Sequence, residues 1–315
     1  MSRSGSDILR RRTVPRQQDT GDPPRRQRVA TSAGEPVTAL IYEPEGAIYG
    51  NILVHPATAC PQRFYAGFAR TLAAAGLRVI TYDYRGVGLS RPADLRTSTV
   101  TMADWALIDA SAMHRYVREH YPEQPLGLVC HSFGAQLLGL VDEARDAQAA
   151  VFVGGQLGYA GHWPQLQAAA LRALWQVVVP SLTGTLGYLP AQLGLGEDLP
   201  RGVARQWARW CSAPDYLMSE FPDARARYAR FDRPVLSYSF TDDIYAPKPA
   251  VNALHRALCS ATITHQRILP GAIGAKAVGH FGFFRARLGH ELWKDAASFL
   301  LQRLAAAGES QRVVA

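Results

Sequence analysis

The chain has 315 residues and a mass of 34.4 kDa, with 48% hydrophobic and 19% charged residues. This composition excludes a chain that is disordered throughout, and the length allows a large core without disulfides or a structural metal. The four cysteines are scattered and form no C-x-x-C pair. This spacing argues against a zinc site and a disulfide framework, and it is typical of a reducing cytoplasm.

The net charge of +8 is concentrated at the amino terminus. Residues 1–28 contain eight arginines and three aspartates, so they carry +5 of the total, and the rest of the chain is close to neutral. A basic arm can contact nucleic acid or an anionic membrane surface, but no other segment is typical of a nucleic-acid-binding module. We therefore predict a disordered basic tail over residues 1–33 and no nucleic-acid partner, and we leave a weak contact with a membrane surface open.

Two long stretches in the middle of the chain are uncharged. Residues 147–171 and 173–196 lack Asp, Glu, Lys and Arg, but their glycines and prolines would interrupt a membrane-spanning helix. The arginines at 10–12 are not followed by the apolar run of a secretory signal. We expect a soluble cytoplasmic protein with no transmembrane segment, and we make no prediction of its oligomeric state.

Short apolar runs rich in β-branched residues alternate with stretches of helical spacing. The predicted strands are 37–43, 48–55, 77–84, 126–131, 149–153, 234–240 and 262–269. The predicted helices are 62–75, 101–120, 133–145, 249–258 and 288–306. Pro44-Glu45-Gly46 separates the first two strands in the manner of a hairpin turn. The alternation favours an α/β fold, with a mostly parallel, doubly wound sheet covered on both faces.

This alternation is interrupted once. Residues 156–231 are rich in Leu, Trp and Pro, show several short helical patterns, and contain no convincing strand. We therefore predict a core made of residues 34–155 and 232–308, with a helical insertion over 156–231.

The segment Cys130-His131-Ser132-Phe133-Gly134 joins a predicted strand to a predicted helix. A sharp turn at this point lifts a serine hydroxyl clear of the sheet, and the helix N-terminus offers N–H groups to a developing oxyanion. Small residues must flank the serine because strand and helix pass close together. Gly134 meets this need, whereas Cys130 stands where glycine is usual. We therefore predict that Ser132 is a nucleophile.

The partners of such a serine follow in the expected order, each after a later strand. A serine needs an imidazole as base and a carboxylate that holds the imidazole in the correct tautomer. Asp242 and Asp243 follow the strand at 234–240, and His280 precedes the last helix. We select Asp243 because it lies four residues before Pro247. Asp242 would then be a loop or capping residue.

Backbone N–H groups are expected to hold the oxyanion. We predict that Phe133 and Ala57 donate them, with Thr58 as the alternative to Ala57. His55 is expected to form a hydrogen bond within the loop that contains Ala57, and His131 is expected to pack beside the nucleophile.

Three segments resemble a known family. Tyr82-Asp83-Tyr84-Arg85-Gly86-Val87-Gly88-Leu89-Ser90-Arg91-Pro92, the run from Ser132 to Leu140, and Gly279-His280-Phe281-Gly282-Phe283-Phe284 are similar to a bacterial group of α/β hydrolases labelled serine aminopeptidase-like. Across about residues 36–305 the chain resembles the α/β-hydrolase superfamily. The resemblance implies the α/β-hydrolase fold, a helical lid between strands 6 and 7, and a triad of Ser132, Asp243 and His280. It implies no substrate.

An insertion at this place in the fold normally covers the nucleophile and shapes an acyl pocket. Trp163, Trp175, Trp207 and Trp210 are our candidates for lining such a pocket. The scarcity of charge nearby disfavours a polyanionic substrate and favours an apolar acyl or alkyl group.

The functional hypothesis is a serine hydrolase that cleaves an ester or thioester of a small-molecule acyl substrate through an acyl-enzyme. It needs no metal and no organic cofactor. Acyl transfer on the same triad and a non-catalytic binding protein on a hydrolase scaffold are the alternatives. Aminopeptidase activity rests on family labels alone, because the insertion shows no acidic cluster that could receive a free amino terminus.

Overall fold

The computed structural model describes residues 23–193 and 196–314. Its strands are β1 (Arg25–Val29), β2 (Val37–Tyr42), β3 (Gly50–His55), β4 (Leu77–Asp83), β5 (Leu126–His131), β6 (Ala149–Val153), β7 (Tyr188–Leu189), β8 (Leu199–Pro200), β9 (Pro234–Phe240) and β10 (Thr262–Ile268). Eight of them form one sheet, in the order β1-β2-β4-β3-β5-β6-β9-β10, and β7 pairs with β8 separately.

Ten α-helices accompany the strands in the described part of the chain. They are α1 (Ala66–Ala74), α2 (Met102–Asp104), α3 (Ser111–His120), α4 (Phe133–Gln136), α5 (Gln165–Ala173), α6 (Val179–Leu186), α7 (Arg201–Ser212), α8 (Ala224–Arg230), α9 (Lys248–Ala257) and α10 (Ala286–Val314). A π-helical turn at Trp105–Ala110 joins α2 to α3, and another at Leu174–Val178 joins α5 to α6.

The sheet is parallel from β4 through β3, β5, β6, β9 and β10, and antiparallel only where β2 pairs with β1 and β4. Successive side chains of a strand point to opposite faces. On β3, Ile52 and Val54 join the core under α1 and α10, whereas Leu53 joins the core on the other face. The predicted doubly wound α/β sheet is therefore confirmed. Residues 154–233 connect β6 to β9.

Strand β1 occupies residues that we predicted to be part of the tail. It pairs antiparallel with β2, and Arg28 faces Thr38 in the register. Only Val29 of this strand is buried. An edge strand needs a neighbour on one side only, so an arginine-rich sequence can hydrogen-bond through its backbone and keep its side chains in water. The predicted tail over 1–22 lies outside the described residues.

The predicted hairpin turn at Pro44-Glu45-Gly46 is wrong, because β4 lies between β2 and β3 in the sheet. The predicted helix over 133–145 is also too long. α4 ends at Gln136, and 3-10 turns follow at Leu137–Gly139 and Asp142–Asp146. The Tyr228 hydroxyl donates to the Gln136 carbonyl, which a continuing helix would use for the Leu140 N–H.

The insertion (residues 154–233) contains α5 to α8. It also contains β7 and β8, although we predicted no strand there. Leu189 and Leu199 are buried partners in this ladder. Strands of two residues are too short to leave an alternating pattern in a sequence.

Candidate functional site

Ser132 lies at a strained turn between β5 and α4. Its backbone has φ 52° and ψ −110°, a region that costs a residue with a side chain about 1–3 kcal/mol. The Ser132 N–H donates to the Val153 carbonyl at 3.0 Å, which ties the turn to the neighbouring strand β6. Cys130, in place of the usual glycine, is fully buried and does not prevent the turn.

Two glycines allow the backbone to pack tightly around this turn. A methyl group at Gly134 would overlap the His55 carbonyl at the end of β3. A methyl group at Gly154, just after β6, would lie 2.9 Å from Cε1 of His280. Both positions therefore exclude a larger side chain, because backbone and ring atoms occupy the space.

His280 is paired with Asp243 and not with Asp242. Its Nδ1 lies 2.7 Å from Oδ2 of Asp243, and both side chains are buried. The other oxygen of Asp243 accepts the N–H groups of Tyr245 at 2.8 Å and Ala246 at 3.0 Å. Three hydrogen bonds therefore fix this carboxylate.

Asp242 holds the loop in front of His280. Its Oδ2 accepts the N–H groups of Val278 at 2.8 Å and Gly279 at 3.1 Å. This is a loop role of the kind expected for the aspartate that is not paired with the histidine.

The pairing with Asp243 sets the tautomer of His280. An ionised carboxylate only accepts hydrogen bonds, so in the neutral form of the His280 ring Nδ1 carries the proton and Nε2 the lone pair. His280 and Ser132 are 7% and 8% exposed, and both line the same cavity. The arrangement can take a proton from a hydroxyl group in that cavity.

His131 links the loop of Ala57 to the loop of His280. The Ala57 N–H donates to Oη of Tyr65 at 2.9 Å, and this hydroxyl lies 2.9 Å from Nδ1 of His131. Nε2 of His131 lies 3.0 Å from the His280 carbonyl. The His280 carbonyl can only accept a hydrogen bond, so Nε2 of His131 carries the ring proton and donates it. Nδ1 of His131 then accepts the hydroxyl proton of Tyr65, whose oxygen accepts the Ala57 N–H.

This chain of hydrogen bonds has two consequences. Burial and the neighbouring His280 lower the pKa of His131 well below its ordinary value, which keeps the ring neutral. The Ala57 N–H already has an acceptor, so it is not free for an oxyanion. Thr58, the alternative donor, also lines the cavity.

His55 does not form its hydrogen bonds within the loop that follows it. Its Nδ1 lies 2.8 Å from Oη of Tyr82, and its Nε2 lies 3.1 Å from Nε2 of His114 on α3. Burial lowers the pKa of both histidines, that of His114 to about 3. These residues are core partners of the strand and not part of the cavity.

The cavity at Ser132 has a volume of about 170 Å³ and is mostly apolar. Its lining comes from the sheet edge, the insertion and the loops after β9 and β10: Ala57, Thr58, Ser132, Gln136, Gln156, Gly158, Trp163, Leu171, Leu174, Trp175, Trp207, Cys211, Ile244, Tyr245, His280 and Phe281. No Asp, Glu, Lys or Arg is among these described lining residues.

Three of the four predicted pocket tryptophans line this cavity, and Trp210 does not. Trp210 is fully buried in the core, where its Nε1–H donates to Glu220 at 2.8 Å. Gln136 and Gln156, which also line the cavity, were not predicted from the sequence. Gln136 lies one turn after Ser132, a spacing that could have indicated it, whereas the position of Gln156 depends on the path of the insertion.

Comparisons with known proteins agree with this architecture. A family model described as serine aminopeptidase, S33, matches residues 52–206. No curated protein matches the chain. In the described residues, every helix is too short or too polar to cross a membrane.

Solved structures resemble the chain over most of its length. A monoacylglycerol lipase from Paleococcus ferrophilus is 16% identical, with a TM-score of 0.57 over 85% of this chain and 99% of the lipase. An esterase from Exiguobacterium antarcticum is 14% identical, with a TM-score of 0.58 over 87% of this chain and 98% of the esterase. DcsB, solved in complex with its substrate analogue, is 17% identical, with a TM-score of 0.59 over 89% of this chain and 99% of DcsB. This shared architecture shows the α/β-hydrolase fold, and together with the family model over residues 52–206 it supports membership of the α/β-hydrolase superfamily.

Proposed function

We propose that the protein is a serine hydrolase that cleaves an ester or thioester with an apolar acyl group through an acyl-enzyme intermediate. One observation carries the proposal. Ser132 stands on a strained turn and shares a cavity with His280, whose Nδ1 is 2.7 Å from Asp243. Backbone strain costs free energy and persists only where the surrounding structure enforces it. Strained residues of this kind cluster at functional positions.

In the proposed reaction, Oγ of Ser132 attacks the acyl carbonyl while Nε2 of His280 takes the hydroxyl proton. The tetrahedral intermediate collapses, and His280 returns the proton to the leaving alcohol or thiol. A water molecule then attacks the acyl-enzyme with His280 as base, which releases the acid and restores Ser132. Asp243 keeps the imidazole in its tautomer and stabilises the imidazolium.

The proposed oxyanion donors are the N–H groups of Phe133 and Thr58. Phe133 is the first residue of α4, where an N–H has no partner within the helix. Thr58 replaces our first choice because the Ala57 N–H donates to Tyr65. Each such donor is worth about 3 kcal/mol of transition-state stabilisation.

The lining of the cavity favours an ester over a peptide. An aminopeptidase needs a negative group that receives the free amino terminus, and the described lining residues carry no carboxylate. Leu171, Leu174 and the three tryptophans of the insertion form an apolar wall suited to an acyl chain.

A fluorophosphonate probe tests the nucleophile. We expect it to label the wild-type protein and Ser181→Ala, a control on the exposed surface of α6, but not Ser132→Ala. The last variant should also lose at least about 1,000-fold in kcat on p-nitrophenyl hexanoate, because no other hydroxyl replaces the nucleophile. Labelling of Ser132→Ala would refute the assignment.

The length of the acyl chain tests the apolar pocket. We expect p-nitrophenyl hexanoate to be cleaved with a higher kcat/KM than the acetate, since each buried methylene contributes about 0.8 kcal/mol. A flat or reversed dependence on chain length would contradict an apolar acyl site.

A further inference from the structure

Gln156 is a polar side chain in the wall of this otherwise apolar cavity. It follows Gly154 and Gly155 directly after β6 and is only 7% exposed. Its Oε1 is buried and has no hydrogen-bond partner. A methyl group at Gly158, which also lines the cavity, would lie 3.5 Å from this oxygen. The unpartnered oxygen therefore belongs to a side chain of the cavity wall.

The other buried glutamines are satisfied, which sets Gln156 apart. Oε1 of Gln62 lies 2.9 Å from the Thr81 hydroxyl, and Oε1 of Gln206 accepts the Ala103 N–H at 2.7 Å. Oε1 of Gln136, in the same cavity, accepts the Tyr216 hydroxyl at 2.8 Å. Leaving a buried carbonyl unpaired costs about 1–3 kcal/mol. Of these four buried glutamines, only Gln156 has an Oε1 without a partner, and it lines the same cavity as Ser132.

We propose that Gln156 is a specificity residue that hydrogen-bonds a donor, a hydroxyl or an amide N–H, on the acyl part of the substrate. The inference rests on the proposed hydrolase function and narrows its substrate class to acyl groups that are apolar but carry one such donor. Rotation of the terminal amide by 180° exchanges its oxygen and nitrogen, so the carboxamide can turn its acceptor toward the cavity. The surrounding apolar wall strengthens a single hydrogen bond made there, because water does not compete for it.

Kinetics with matched esters test the proposal. The p-nitrophenyl esters are hexanoate, 3-hydroxyhexanoate, 6-hydroxyhexanoate and the N-acetylglycine ester, which place a hydroxyl or an amide N–H at different points. In the wild type we expect at least one donor-bearing ester to exceed hexanoate in kcat/KM. In Gln156→Met, which keeps the length of the side chain, this preference should fall about tenfold. Gln176→Met, outside the cavity, should keep the wild-type preference.

Binding to Ser132→Ala protein separates this inference from the proposed function. Calorimetry with hexanamide, 3-hydroxyhexanamide, 6-hydroxyhexanamide and N-acetylglycinamide needs no catalysis. Tighter binding of a donor-bearing amide that disappears in Ser132→Ala/Gln156→Met supports the role of Gln156, even where no ester is cleaved. Equal binding of all four amides, or a preference that survives Gln156→Met in both experiments, overturns it.

Discussion

At the scale of single residues, the hydroxyl of Tyr65 holds two loops of the site together. It accepts the Ala57 N–H and donates to His131, which in turn donates to the His280 carbonyl. All of these groups are buried, so water cannot replace a lost partner. Burial also raises the pKa of Tyr65 well above its ordinary value, so the hydroxyl keeps its proton.

Tyr65→Phe should therefore lower both stability and activity. The substitution leaves a buried N–H and a buried ring nitrogen without partners, so we expect the free energy of unfolding in urea to fall by about 2–3 kcal/mol. We also expect kcat to fall about tenfold, because both loops lose their common anchor. Tyr49→Phe, at a tyrosine that is 56% exposed, is the control. Wild-type stability in Tyr65→Phe would show that the hydrogen bonds contribute little.

Local sequence patterns specify some residues of this site and leave others open. The positions of Ser132, Asp243 and His280 at one edge of the sheet could be predicted because each follows a recognisable strand, and the carboxyl ends of parallel strands meet at one edge of a sheet. The state of the Ala57 N–H could not be predicted, because its acceptor, Tyr65, is eight residues away on the far side of a turn.

At the scale of elements, the segment between β10 and α10 delivers His280 to the cavity, and Asp242 fixes its path. Gly279 has φ +59°, a left-handed conformation that glycine adopts without strain. The Asp242 carboxylate accepts the N–H groups of this glycine and of Val278. The two adjacent aspartates thus divide the task, one holding the loop and the other the imidazole.

Asp242→Ala should act on positioning and not on binding. We expect kcat on p-nitrophenyl hexanoate to fall about tenfold with KM nearly unchanged, because His280 loses its alignment while the cavity remains intact. Asp242→Asn keeps an acceptor oxygen and should retain most of the activity. Asp243→Asn should lose about 10,000-fold, as expected for a wrong tautomer. Wild-type kcat in Asp242→Ala would contradict the positioning role.

Across the whole fold, three histidines lie almost entirely in the core, His55 and His131 on the sheet and His114 on α3. Burial lowers the pKa of His55 and His131 well below the ordinary value of 6.5, and that of His114 to about 3. The unfolded chain takes up a proton on each near pH 6.5, whereas the folded chain does so only at much lower pH. The unfolded state then binds more protons, so stability is lost as the pH falls below 6.5.

The free energy of unfolding should therefore begin to fall at only mildly acidic pH. Each buried histidine contributes up to about 1.4 kcal/mol per pH unit below pH 6. His255, whose pKa burial lowers to about 4, adds to this slope, whereas Asp109, whose pKa burial raises to about 6, opposes it. Urea denaturation at pH 7.5, 6.0 and 5.0 measures this slope. His114→Leu should reduce the slope by about a third, and His290→Gln, at an exposed site, should leave it unchanged. Equal stability at pH 7.5 and 5.0 would contradict the prediction.

Three features follow from the sequence: the alternation of strands and helices, the turn at Ser132, and the order of Asp243 and His280 along the chain. These features depend on local patterns of apolar, small and turn-forming residues, and such patterns are visible over a few positions. Packing between distant segments decides that Trp210 lies in the core, that the Ala57 N–H donates to Tyr65, and that Oε1 of Gln156 has no partner in the wall of the Ser132 cavity. Each of these depends on which distant segment packs against the residue, and a local pattern does not specify that contact.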